Sequence, residues 1–115
     1  MIDRSKKLKA QFYETSMGRK PVRDWLLELD NTDRRIIGFD IQTVEFGWPV
    51  GMPTCRPLGN GLWEIRSNLS DGKIARVIFF MKNGAMVLLH GFVKKTQKTP
   101  LQDIDLAEKR RKDIE

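Results

Sequence analysis

A small set of side chains in the second half of this 115-residue chain has the chemistry to handle a phosphate group. Arg66 and Arg76 carry planar guanidinium groups that can hold two oxygens at once. His90, the only histidine, belongs to the one residue type that ordinarily gains or loses a proton near neutral pH. Lys94 and Lys95 add fixed charge, and Phe92 offers a ring. Successive strand residues point to opposite faces, so His90, Phe92 and Lys94 share one face, whereas Lys94 and Lys95 do not. Glu64 and Arg66 likewise share a face. Each residue also has a plainer reading. His90 can be a half-buried strand-end histidine and Phe92 a core ring. Arg76, in the middle of an apolar run, either pairs with Glu64 across a hairpin or faces a concave surface ready for an anion. Lys73 and Lys98 flank the group as further candidate phosphate contacts. On the anion-site reading, Arg76→Ala removes activity and leaves the fold intact.

Other chemistries lack their residues. The single cysteine, Cys55, excludes an internal disulfide and a cysteine metal cage, and reads as a small half-buried side chain. No phosphate-binding loop, dinucleotide fingerprint, metal motif or Ser/His/Asp arrangement is present, so neither cofactor nor metal is expected. Gly59-Asn60-Gly61 reads as a turn. The longest apolar run, Val77–Met81, is too short for a bilayer, and no signal-peptide pattern opens the chain. A cytoplasmic protein without a membrane partner is expected.

The net charge is +6, and it is unevenly spread. Residues 50–99 hold eight Lys/Arg against two Asp/Glu, while the flanking segments nearly balance. An excess of this kind on a sheet suits a polyanion, nucleic acid before membrane. The plainer alternative is a scattered, solvated basic surface.

The elements that must hold these residues follow from periodicity. Residues 7–13 alternate weakly and predict a first strand. Pro21 opens a helix whose apolar face is Val22, Trp25, Leu26 and Leu29. Asp30–Asp33 breaks that helix and caps a second one, from about Asp33 to Phe46, with Ile37, Ile41 and Val44 as its stripe. Residues 47–53, rich in Gly and Pro, form a connector. Strands then follow over 62–67, 73–81 and 85–93, joined by turns at Leu69–Gly72 and Asn83-Gly84. The last of them, apolar through Val87-Leu88-Leu89, is expected to be central and covered on both faces. Thr99 as N-cap, Pro100 at the first position and Gln102 predict a final helix. The basic run Lys109–Lys112 at its end is accounted for by the helix dipole. The order β-α-α-β-β-β-α, with consecutive antiparallel strands and helices on one face, makes a single α+β domain over residues 1–115.

Several of these segments carry a family resemblance. Leu62-Trp63-Glu64-Ile65-Arg66, Arg76-Val77-Ile78-Phe79-Phe80, and above all Leu88-Leu89-His90-Gly91-Phe92-Val93-Lys94-Lys95-Thr96-Gln97-Lys98-Thr99-Pro100 resemble the phage-derived Gp49-like, HigB-type toxins of the RelE/ParE superfamily. Phe12-Tyr13-Glu14-Thr15 and Gly18–Val22 resemble that group's opening. The resemblance implies a small antiparallel sheet with an N-terminal helical hairpin and a C-terminal helix. It also implies the toxin of a type II toxin–antitoxin system. Its partners would be a helix-turn-helix, HigA-like antitoxin from the same operon, the ribosomal A site and mRNA. Such a toxin is an endoribonuclease (an mRNA interferase) that needs no metal: the RNA's own 2′-hydroxyl attacks the neighbouring phosphate. On this reading Arg66 and Arg76 clamp the phosphate, and Lys94 and Lys95 steady the transition state or ribosomal RNA. His90 is the general acid or base, with a lysine of depressed pKa as its rival. Phe92 stacks on a base, with Lys73 and Lys98 alongside. Tyr13 is the only tyrosine and lies near the N-terminus, so a C-terminal catalytic tyrosine has no counterpart. The alternatives are a ParE-like gyrase-binding inhibitor without nuclease activity, or an inactive nucleic-acid-binding module.

Overall fold

The computed structural model describes residues 5–115. The chain runs β1 (Lys9–Phe12), α1 (Pro21–Glu28), α2 (Asn31–Gly47), β2 (Cys55–Gly59), β3 (Leu62–Asn68), β4 (Ile74–Lys82), β5 (Ala85–Lys94) and α3 (Leu101–Ile114). The strands form one sheet in the order β1-β5-β4-β3-β2. β2 to β5 are antiparallel neighbours, and β1 lies parallel to β5. The α+β class and the helical hairpin agree with the sequence. One strand more is present than the sequence suggested, and the sheet is antiparallel apart from the β1–β5 pair.

The extra strand is β2, inside a stretch with prolines at 49, 53 and 57. Proline cannot donate to a sheet ladder and is confined to edges or bulges. β2 is an edge strand, and its pairing with β3 slips between Pro57 and Gly59. The turn at 59–61 survives as the link between these strands. Asn60 and Gly61 take positive φ of 54° and 80° there. The Asn83-Gly84 turn behaves as expected, with φ of 51° and 78°, the left-handed pair a two-residue hairpin requires.

The helices do not share a face. α1 and α2 cover one side, where Val22, Ile37, Ile41 and Val44 meet Ile65, Val77, Phe79 and Leu88. α3 covers the other, where Ala107, with Ile104 and Ile114 beside it, meets Leu62, Ile78, Phe80, Val87 and Leu89. The strand arithmetic requires this, because β4 is apolar on both faces and is buried from Ile74 to Phe80. β4 is the central strand, and β5 beside it is covered on both faces from Ala85 to Leu89. Asp30 caps α2, its Oδ1 accepting from the Asp33 amide at 2.8 Å. Glu45 near the end of α2 accepts the Ala10 amide at 2.8 Å and the Lys6 ammonium at 3.0 Å, fastening β1 at the sheet margin.

α3 begins one residue later than expected. Pro100 is its N-cap and no side chain caps it, because the Thr99 hydroxyl donates to Glu64 instead. The dipole accounts for only part of the basic run at its end. Arg110 donates to the Leu89 carbonyl at 2.7 Å, and Arg111 to that of Asn60, so both guanidiniums fold back onto the sheet. Tyr13 donates to Asp113 Oδ2 at 2.7 Å, tying β1 to the last turn of α3.

Gly91 in β5 lies under the indole of Trp25 from α1. A Cβ there would fall 2.4 Å from two ring carbons, well inside van der Waals contact. Only glycine admits so close a ring. Gly91→Ala is expected to cost about 1–3 kcal/mol through overpacking, and Trp25→Leu should recover part of it. Urea denaturation of the single and double variants tests this, and additive losses would show that the two positions are not in contact.

Candidate functional site

α3 covers only part of its face of the sheet. The rest of that face is polar, and its position depends on one irregularity. β4 and β5 pair in steady register except between Ile78 and Phe79, where Leu89 is the extra residue. Val87 faces α3, so strict alternation would send Gly91 and Val93 to that side as well. The bulge advances the phase by one residue. His90, Phe92 and Lys94 therefore fall on the α3 face, opposite Ile78, Arg76 and Ile74. Gly91 and Val93 turn to Trp25 and the α1/α2 core.

Four strands contribute to this polar patch. β3 supplies Glu64 and Arg66, β4 Arg76, and β5 His90, Phe92 and Lys94. Arg66 and Arg76 are direct cross-strand partners. β2 adds Arg56, opposite Glu64 and therefore on the same face. The segment 95–100 and the first turn of α3 lie against it.

Glu64 and Arg76 are both fully buried. Glu64 Oε1 lies 3.5 Å from Arg66 Nε, and Oε2 accepts from Thr99. Arg76 gives one guanidinium nitrogen to the Thr96 carbonyl, while its Nε and Nη1 have no hydrogen-bond partner among the described residues. Burial pulls the Arg76 pKa down, and the charge of Glu64 works against that. Neither sequence reading of Arg76 describes this. It makes no direct pair with Glu64, and it does not line an open concavity.

Arg66 reaches the rim, where Nη2 donates to the Gln97 carbonyl at 2.7 Å. His90 Nε2 is 2.7 Å from Asp103 Oδ1, and Lys94 Nζ is 3.4 Å from Oδ2 of the same carboxylate. Phe92 is buried under the histidine, their rings stacked with centroids 5.3 Å apart. Arg76 and Lys94 lie 5.7 and 5.8 Å from the Phe92 ring centre, within cation–π reach. Burial lowers the His90 pKa below the ordinary 6.5, and it outweighs the hydrogen bond and charge of Asp103, which act the other way. This favours the neutral imidazole. In the tautomer that donates from Nε2 to Asp103, Nδ1 keeps a lone pair.

Lys95 and Lys98 are exposed just beyond the patch. Lys73 is exposed on the adjoining turn, its ammonium 3.3 Å from Asp71. Cys55 is buried, which raises its thiol to about 11. Among the described residues no three His, Cys, Asp or Glu side chains gather to hold a metal ion, and no helix is long and apolar enough to cross a membrane.

A family model described as Phage derived protein Gp49-like (DUF891) matches residues 24–112. The chain belongs to this family. Gp49-like proteins are a RelE/HigB-like toxin family, so at family level this is the toxin of a toxin–antitoxin pair, with an antitoxin as partner. No curated protein matches the chain. The matched span includes every strand residue of the polar patch.

Two members of the Gp49-like patch escaped the sequence reading. Asp103 lies in the first turn of α3, where the helix dipole already explains an acid. What could have marked it is its place just past the basic run, one turn from a lone histidine's strand. Arg56 was hidden because Pro57 argued against a strand there.

The burial of Arg76 revises what its loss would do. It heads the fully buried side chains by volume, and removing it leaves a cavity and takes away a positive charge that acts on Glu64. Arg76→Ala is expected to cost about 2–5 kcal/mol of folding stability, against at most about 0.5 for Lys95→Ala at the surface. Equal denaturation midpoints for the two variants would show that Arg76 is not coupled to the fold.

Proposed function

We propose that the polar face is the centre of a ribosome-dependent mRNA endonuclease that works through the RNA's 2′-hydroxyl. The observation that supports this best is the His90–Asp103 pair: a neutral imidazole held by a carboxylate, with lysine and arginine charges on the same face. Cleavage of this type needs a base for the 2′-hydroxyl, charge against the phosphorane oxygens, and an acid for the departing 5′-oxygen.

His90 is the base. Its Nδ1 lone pair accepts the hydroxyl proton, and Asp103 holds the tautomer and stabilises the imidazolium that forms. Lys94, on the other oxygen of Asp103, is the acid. Arg66 at the rim takes the phosphate oxygens. Arg76 acts from beneath, adding positive potential without touching RNA, and Phe92 fixes the plane of His90 instead of stacking on a base. Lys95, Lys98 and Lys73 meet the backbone of mRNA or ribosomal RNA. The antitoxin is a helix-turn-helix protein of the HigA kind.

Translating ribosomes incubated with the protein should accumulate mRNA ends at the A site, with a 2′,3′-cyclic phosphate upstream and a 5′-hydroxyl downstream. His90→Gln should lower the rate about 100-fold or more, the ordinary worth of a positioned acid–base group. A base must be unprotonated, and the His90 pKa is lowered, so the acidic limb of the rate profile should fall below pH 6.5. A limb above pH 6.5 removes His90 from the role. Intact mRNA together with arrested DNA supercoiling would favour gyrase inhibition instead.

A further inference from the structure

Beside Arg66, the end of the sheet opens into a cleft of about 220 Å³ whose other walls take no part in the cleavage chemistry. Its walls include Arg66, Asn68, Ile74, Pro53 and Gln97, with Asp40 from the middle of α2. Ile74 and Pro53 give it apolar surface, and the remaining side chains are polar. Asp40 is half-buried, yet it makes no hydrogen bond or ion pair among the described residues. Its carboxylate oxygens are not among the buried, unsatisfied atoms, so they face the open cleft and are free to accept from a bound group. The Asn68 side chain is likewise unengaged.

We propose that this cleft is a guanine subsite, which sets the base preference of the RNA that Arg66 holds by its phosphate. The inference rests on the RNA-cleavage reading for its substrate. An ionised carboxylate only accepts, and it accepts best from two parallel donors. Guanine alone among the four bases places two donors side by side, N1–H and the N2 amino group. On its Watson–Crick edge adenine sets a ring acceptor beside one donor, and cytosine does the same. Uracil flanks its one N–H with two carbonyls. Each of these turns a lone pair toward Asp40. The Asn68 amide is suited to donate to guanine O6, and Ile74 and Pro53 to cover the base plane. Single-stranded RNA is commonly read in this manner, by its Watson–Crick edge and a covered face.

The test uses the intact protein and the four nucleoside 3′-monophosphates, followed by amide NMR. Guanosine 3′-monophosphate is expected to shift Asp40, Asn68 and Gln97 and to bind about tenfold or more tighter than the other three. Asp40→Asn should abolish that preference while leaving weak, phosphate-driven binding through Arg66. Equal binding of all four, a preference kept by Asp40→Asn, or no shifts at the cleft overturns the proposal. None of these readouts needs cleavage. A protein that selects guanosine but leaves mRNA intact on ribosomes would refute the nuclease reading and keep the subsite.

Discussion

The polar face depends on one extra residue in β5. Leu89 interrupts the pairing with β4, and its carbonyl is taken by Arg110 from α3. A strand that obeyed strict alternation would have buried His90, Phe92 and Lys94 against the helical hairpin, beside Ile37 and Val77. The same slip would have placed Gly91 and Val93 under α3. The bulge assigns each to its side: the small residue to Trp25, and the imidazole and the ammonium to the arginines. Arg110 does two jobs here, since it satisfies the displaced carbonyl and pins α3 at the distance that lets Asp103 reach His90.

Much of this was legible beforehand because it is local. Runs of strand-favouring residues bounded by turn signals located β3 to β5, and the Asn83-Gly84 pair specified the tight hairpin between two of them. Pro21 and Asp30 marked helix starts through well-understood backbone chemistry. The parallel pairing of β1 with β5 was not readable, because partners such as Lys9 and Ala85 are far apart in sequence and no short motif links them. β2 was masked by Pro57, which an edge position tolerates. The bulge left no trace in Leu88-Leu89-His90, where apolar neighbours hide a change of phase.

The candidate site was legible by residue type and less so by depth. Arg66, His90 and Lys94 do gather on one face. Arg76 and Phe92 gather there too, but below the surface, since alternation gives direction and says nothing about what covers a strand. The cover is the segment 95–100, which receives Arg76 at Thr96 and returns Thr99 to Glu64. Thr99 and Pro100 looked like capping chemistry. In the structure the threonine's stronger claim is a buried carboxylate, and the proline alone opens the helix.

The dependence on α3 has a consequence in the order of synthesis. Thr99, Asp103 and Arg110 all follow the last strand in the chain. Until they emerge, Glu64 lacks its hydroxyl partner, His90 its carboxylate and the bulge its guanidinium. A growing chain therefore has all its strands before its polar face is complete. The polar face is thus the part of the fold completed after the strands that frame it.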